Sequence, residues 1–168
     1  MISSRPLAGV ILASALLTGA AAAPAAASTA QPQAVVEAAA ARPANGKVLY
    51  AGLSGGRGKL KVKNGLSSDA VFTLVRGKKK AVTFYVRAKS SATFSGVVDG
   101  TYRVFYTTGA GFNAAKKRFS RNADYRRFDD SLRFRTTATT SSIWTVSIKR
   151  VVGGNARSTG INPGDFPA

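Results

Sequence analysis

Cations and aromatic residues interleave along this chain in a pattern suited to holding a polyanion. Lys59, Lys61 and Lys63 project from one face of a strand-like run, and Lys78, Lys79 and Lys80 crown a turn. Lys116, Lys117 and Arg118, with Arg121, Arg126 and Arg127, surround Phe119, Tyr125 and Phe128. Exposed rings can stack on bases or sugars while cations hold phosphates or carboxylates. The competing reading puts the rings in a core and the cations on its solvated face, because alternation demands a polar outward side. It does not demand that this side be nearly all positive.

Catalytic chemistry finds fewer materials. The chain has no cysteine and no histidine, which removes disulfides, thiolate nucleophiles, the usual general base near neutral pH and the commonest metal ligand. Asp124, Asp129 and Asp130 could serve a small hydrolase as a carboxylate pair, or bind calcium through oxygen. They could equally cap turns and pair with Arg121, Arg126, Arg127 and Arg133. Adjacent strand residues point to opposite faces and the spacing lacks a calcium-loop pattern, which favours ion pairing. Ser90 and Ser91 beside Lys89 form the nearest Ser/Lys grouping, with no recognisable motif around it. The glycine-rich residues 52–58 (GLSGGRG) precede a strand rather than a helix and lack nucleotide-binding spacing. The reading is therefore non-enzymatic, with no cofactor and no metal.

Lys and Arg number 25 against 7 Asp and Glu, for a net charge of +18. Such an excess keeps copies apart and attracts polyanions over a range that salt shortens.

The elements that must position these side chains begin after an N-terminal leader. Residues 1–27 carry one charge at Arg5, an apolar run over 7–23 and Ala25-Ala26-Ala27, the pattern of a signal peptide cleaved after Ala27. A membrane anchor is the rival, but the run is short, rich in alanine and without a positive flank beyond it. Residues 28–57 mix Ala, Pro, Gln and Gly and read as a flexible leader, with 47–51 as a candidate early edge strand.

From residue 58 the period becomes two. Residues 59–63 (KLKVK), 70–76 (AVFTLVR), 81–88 (AVTFYVRA), 92–97, 101–107 (TYRVFYT), 132–137 and 142–150 are expected strands. Val82, Phe84 and Val86 share a face, as do Tyr102, Val104 and Tyr106, and again Trp144, Val146 and Ile148. Asn64-Gly65 reads as a turn, 114–120 as a strand or a helical turn, 121–130 as polar and irregular, and 153–168 as an extended tail. Short strands without an amphipathic helix predict an all-β fold over 58–152, an antiparallel β-sandwich with a small β-barrel as the alternative.

The run Val98-Asp99-Gly100-Thr101-Tyr102-Arg103-Val104 resembles prealbumin-like and carboxypeptidase-regulatory-like sandwich domains, where such a turn opens a strand. Residues 58–168 more broadly resemble small secreted β-sandwich proteins of high-GC Gram-positive bacteria. That likeness rests on DGTYRVFYTTG (99–109), Phe112-Asn113, YRRFDD (125–130), Trp144, VGGNA (152–156) and NPGDFP (162–167). It implies an extracytoplasmic β domain and brings no active site with it. The expected molecule is thus a secreted, monomeric, basic interaction module that binds anionic cell-wall or matrix polymers, and nucleic acid only nonspecifically. The alternatives are the small hydrolase above and a cationic toxin or inhibitor.

Overall fold

The structure is a computed structural model, and it describes residues 42–149 and 157–167. The expected signal peptide, its cleavage point and residues 150–156 lie outside the described residues.

Strict alternation of lysine with Leu60 and Val62 makes β2 (Gly58–Asn64), whose apolar positions are fully buried and whose lysines are exposed. β2 is the middle of a three-stranded sheet, between β5 (Ser90–Val97) and β8 (Ile143–Ile148). It pairs antiparallel with β5 and parallel with β8, so the sandwich is mixed rather than wholly antiparallel. The second sheet has six strands in the order β1 (Val48–Ala51), β4 (Lys79–Val86), β3 (Asp69–Arg76), β6 (Gly100–Asn113), β7 (Arg118–Phe134) and β9 (Ser158–Gly160), all antiparallel. The two sheets stay separate and face each other, which excludes the barrel alternative. Among the described residues no helix is long and apolar enough to cross a membrane.

The sheets meet through an aromatic row. Phe84, Phe72 and Tyr106 occupy paired positions on β4, β3 and β6, with centroids 6.0 and 5.6 Å apart. Phe94 of β5 extends the row at one end and Phe128 of β7 at the other. Such ring pairs add to the area they bury. Tyr102, at the start of β6, is fully buried and its hydroxyl donates to the Val98 carbonyl at 2.7 Å. This contact pins the turn into β6, as a tyrosine corner does in other sandwiches.

Several expectations need correction, the first of them at the second face of the large sheet. A sandwich sheet can leave one face in water, yet β3 is buried at every position except Arg76. Its run VFTLV sends apolar groups both ways, so the outer face also requires a cover. The tip of the β6–β7 hairpin supplies part of it, where Phe112 and Phe119 pack with Val71, Tyr85 and Leu49. Residues 121–130 are accordingly the middle of the long strand β7 rather than irregular chain.

The chain end supplies the rest. Phe166 sits against Phe105 and Tyr125, at 6.4 and 5.3 Å, with Ile161 and Val75 beside it. The described part of the tail, 157–167, is therefore packed, with β9 paired to β7. Phe166→Ala should lower stability by about 2 kcal/mol, less than for a ring deep in a core. An unchanged urea midpoint would show that the tail adds nothing to the fold.

The start of the domain moves as well. Residues 42–57, read as flexible leader, include β1, which pairs with β4 and confirms the early edge strand at 47–51. The Asn64-Gly65 turn also differs, because Asn64 is a buried hub. Its amide donates to the Ser68 and Arg87 carbonyls at 2.9 and 3.2 Å, and its oxygen accepts from the Leu66 amide at 3.0 Å.

Candidate functional site

Alternation along β2 turns Lys59, Lys61 and Lys63 to the outer face of the three-stranded sheet. The register sets a hydroxyl beside nearly every lysine. Lys59, Lys61 and Lys63 pair with Ser95, Thr93 and Ser91 on β5, and with Ile143, Thr145 and Ser147 on β8. All of these flanking residues are exposed. The three strands contain no Asp or Glu, so nothing within the sheet neutralises the lysines. Two residues of strand separate neighbouring lysines, roughly 6.6 Å. Lys89 and Lys149 flank the end of this row: Lys89 Nζ donates to the Gly65 carbonyl at 2.7 Å, and a methyl on Gly65 would lie 3.2 Å from Cβ of Lys149.

The other expected cations are dispersed. Lys78 and Lys79 stand exposed around the β3–β4 turn, where Gly77 takes a positive φ of 60°. Lys80 is half-buried with its Nζ 4.6 Å from the centre of the Tyr50 ring. Burial, with Lys117 adding to it, lowers its pKa. Lys80 and Lys117 line one small cavity of about 10 Å³ against Leu49, Thr83 and Phe166, on the opposite side of the sandwich from the β2 row. Lys116 and Arg118 are exposed on the same hairpin tip, and Arg121 follows on its arm opposite Ala110.

Arg126 has a structural task. Its Nε donates to the Ser158 hydroxyl at 3.0 Å and its Nη2 to the Ser158 carbonyl at 2.8 Å, which fastens β9. Arg127, half-buried, pairs across to Thr159.

The rings leave the candidate surface. Phe119 and Phe128 are buried and Tyr125 packs on Phe166, so the expected stacking platform beside the cations is absent from these three rings. Trp144 shares the inward register with Leu60, and its Nε1 donates to the Arg133 carbonyl at 2.8 Å, tying the small sheet to β7.

The carboxylates do not converge. Asp124 lines an open cleft of about 1230 Å³, also lined by Lys89, Arg126 and Lys149, and lies 3.9 Å from Arg126. Asp129 accepts from the Thr159 hydroxyl at 2.6 Å, and Asp130 is exposed on the neighbouring, opposite-facing position. Asp99 accepts from the amide and hydroxyl of Thr136 at 2.8 and 2.7 Å. No group of three metal-ligating side chains occurs among the described residues. The Ser/Lys grouping is not aligned for nucleophilic work either, since Ser90 donates to the Ala88 carbonyl and Lys89 to that of Gly65.

The carboxylate that sequence reading left unexamined is Asp69. It is buried at the start of β3 and accepts from Arg42, from the Tyr85 hydroxyl and from the Ala88 amide. Its partners come from residues far apart in the chain, so no local signal marks it. Comparison with protein-family models, curated proteins and solved structures returns no match.

Proposed function

We propose that this protein is a secreted, non-enzymatic interaction module that associates with anionic extracellular or cell-surface polymers. The carrying observation is the outer face of the three-stranded sheet, where Lys59, Lys61 and Lys63 stand exposed among serine and threonine in strands without an acidic residue. Elsewhere three carboxylates are engaged in holding the fold. Asp69 pairs with Arg42, Asp99 binds Thr136, and Asp129 binds Thr159. Positive charge thus remains available to a partner. The same arrangement argues against hydrolysis, because the one of the three proposed catalytic carboxylates that lines the large cleft, Asp124, stands there beside an arginine rather than a second acid.

Association driven by charge must weaken as salt competes. Three neutralised phosphates on a flexible chain give a log–log slope near −2, or about a 20-fold loss of affinity between 50 and 200 mM salt. Titration of the mature protein with an anionic polymer at several salt concentrations measures this directly. Affinity independent of salt would overturn the reading.

A further inference from the structure

We infer that the β2 lysine row is the docking track for a single linear phosphate polymer laid lengthwise along the three-stranded sheet. This inference rests on the proposed polyanion binding and assigns it a face, a direction and a ligand class.

The geometry suits one chain rather than a broad surface. Three strands about 4.8 Å apart make a strip roughly 10 Å across, and the lysines form its midline. Lys59 to Lys63 spans roughly 13 Å along that midline at about 3.3 Å per residue. On either side the strip offers Ser91, Thr93 and Ser95, then Thr145 and Ser147, as hydroxyl donors within the same register. An extended polyanion along β2 would place its charges over the ammonium groups and its remaining oxygens beside the hydroxyls.

The residue types select the ligand class. A row made only of lysine presents compact point charges, the form in which lysine commonly holds phosphate, and it lacks the planar arginine fork that grips carboxylate and phosphate alike. The outward positions of β2, β5 and β8 contain no aromatic ring. Trp144, 40% exposed on β8, lies in the inward register with its indole held by the Arg133 carbonyl, so the lysine row itself offers bases and sugar rings no stacking surface. Ile143 is the one large apolar side chain at these outward positions, and it stands at the row's end. Insertion into a bilayer needs a continuous apolar face, which this strip lacks.

The test uses the mature protein and long-chain inorganic polyphosphate, with polygalacturonate and anionic phospholipid vesicles as parallel probes. The triple variant Lys59→Gln, Lys61→Gln, Lys63→Gln should lower the magnitude of the polyphosphate log–log salt slope by about 2, and Lys61→Gln alone by about 0.7. A control triple, Lys78→Gln, Lys79→Gln, Lys116→Gln, removes the same charge from other parts of the surface and should leave the slope near wild type. Circular dichroism and melting temperature confirm that these exposed positions do not affect folding.

Equal loss in the two triples would overturn the track while leaving general polyanion binding in place. Polygalacturonate bound as tightly, through the same lysines, would overturn the phosphate assignment. Wild-type binding to vesicles alone would replace the polymer by a membrane. Failure of the wild type to bind any of the three probes at low salt would overturn the proposed function itself.

Discussion

Replacing Asp69 by alanine will destabilise the domain by about 2–4 kcal/mol, because two buried donors lose their acceptor while Arg42, half exposed, returns to solvent. The carboxylate is 9% exposed and accepts from Arg42 Nε and the Ala88 amide, both at 2.8 Å, and from the Tyr85 hydroxyl. Alanine leaves the hydroxyl of the fully buried Tyr85 and the Ala88 amide without that acceptor, and each orphaned donor is costly. The melting temperature should fall by 10 °C or more. The effect joins distant segments, since Arg42 precedes β1, Asp69 opens β3 and Ala88 follows β4.

The same network sets a dependence on pH at both extremes. Burial alone would push the Asp69 carboxyl up, but hydrogen bonds from Arg42, Tyr85 and Ala88 together outweigh it and hold its pKa below the ordinary 3.8. A folded-state value below the unfolded one contributes stability that is complete above about pH 4 and lost as the pH falls through the folded value. Tyr85 behaves oppositely. Burial, then the neighbouring Asp69, raises its pKa from 10.0 to about 12. Its contribution is therefore present below pH 10 and lost as the pH rises towards 12. Melting curves from pH 2 to pH 12 should show both losses in the wild type, and the acid one should be much reduced in Asp69→Ala. Identical acid limbs in the two proteins would show that Asp69 is not the group responsible.

Phe72→Ala is the second large effect, expected at about 3–5 kcal/mol. Phe72 is fully buried in the middle of β3, and its ring lies between Phe84 and Tyr106 on the two neighbouring strands. Truncation removes the transfer contribution of the ring and opens a cavity that neighbours fixed on both sides cannot close. It also breaks the row from Phe94 to Phe128 at its centre. Phe72→Leu should recover more than half of the loss, because it refills most of the volume without restoring the ring contacts. Urea unfolding of the two variants and the wild type measures the difference: Phe72→Leu as stable as the wild type would mean that ring geometry contributes nothing beyond volume, and Phe72→Leu no more stable than Phe72→Ala would overturn the volume argument.

Much of the sandwich was legible because a strand's two-residue period is a local property. Leu60 and Val62 against Lys59, Lys61 and Lys63 declared their faces without any knowledge of neighbours, as did Tyr102, Val104 and Tyr106. Residues 121–130 were not legible, since Arg121, Asn122, Asp124, Arg126 and Arg127 offer little apolar contrast to mark a strand. They become β7 because β6, already bound to β3, presents a free edge along its length. Phe166 in its NPGDFP context reads as an extended end, and only the rings of Phe105 and Tyr125 make it part of the core.

The candidate surface divides along the same line. Residue types alone established the positive charge, the lack of histidine and cysteine, and the exposure of alternate lysines on β2. Folding decided which of those cations act together. It aligned Lys59, Lys61 and Lys63 between two rows of hydroxyls, carried Lys117 to the opposite side of the sandwich, and engaged Arg42 and Arg126 in holding the chain. The reason is that side-chain direction follows from backbone geometry one residue at a time, whereas strand order and the cover of a sheet depend on contacts between residues many tens of positions apart.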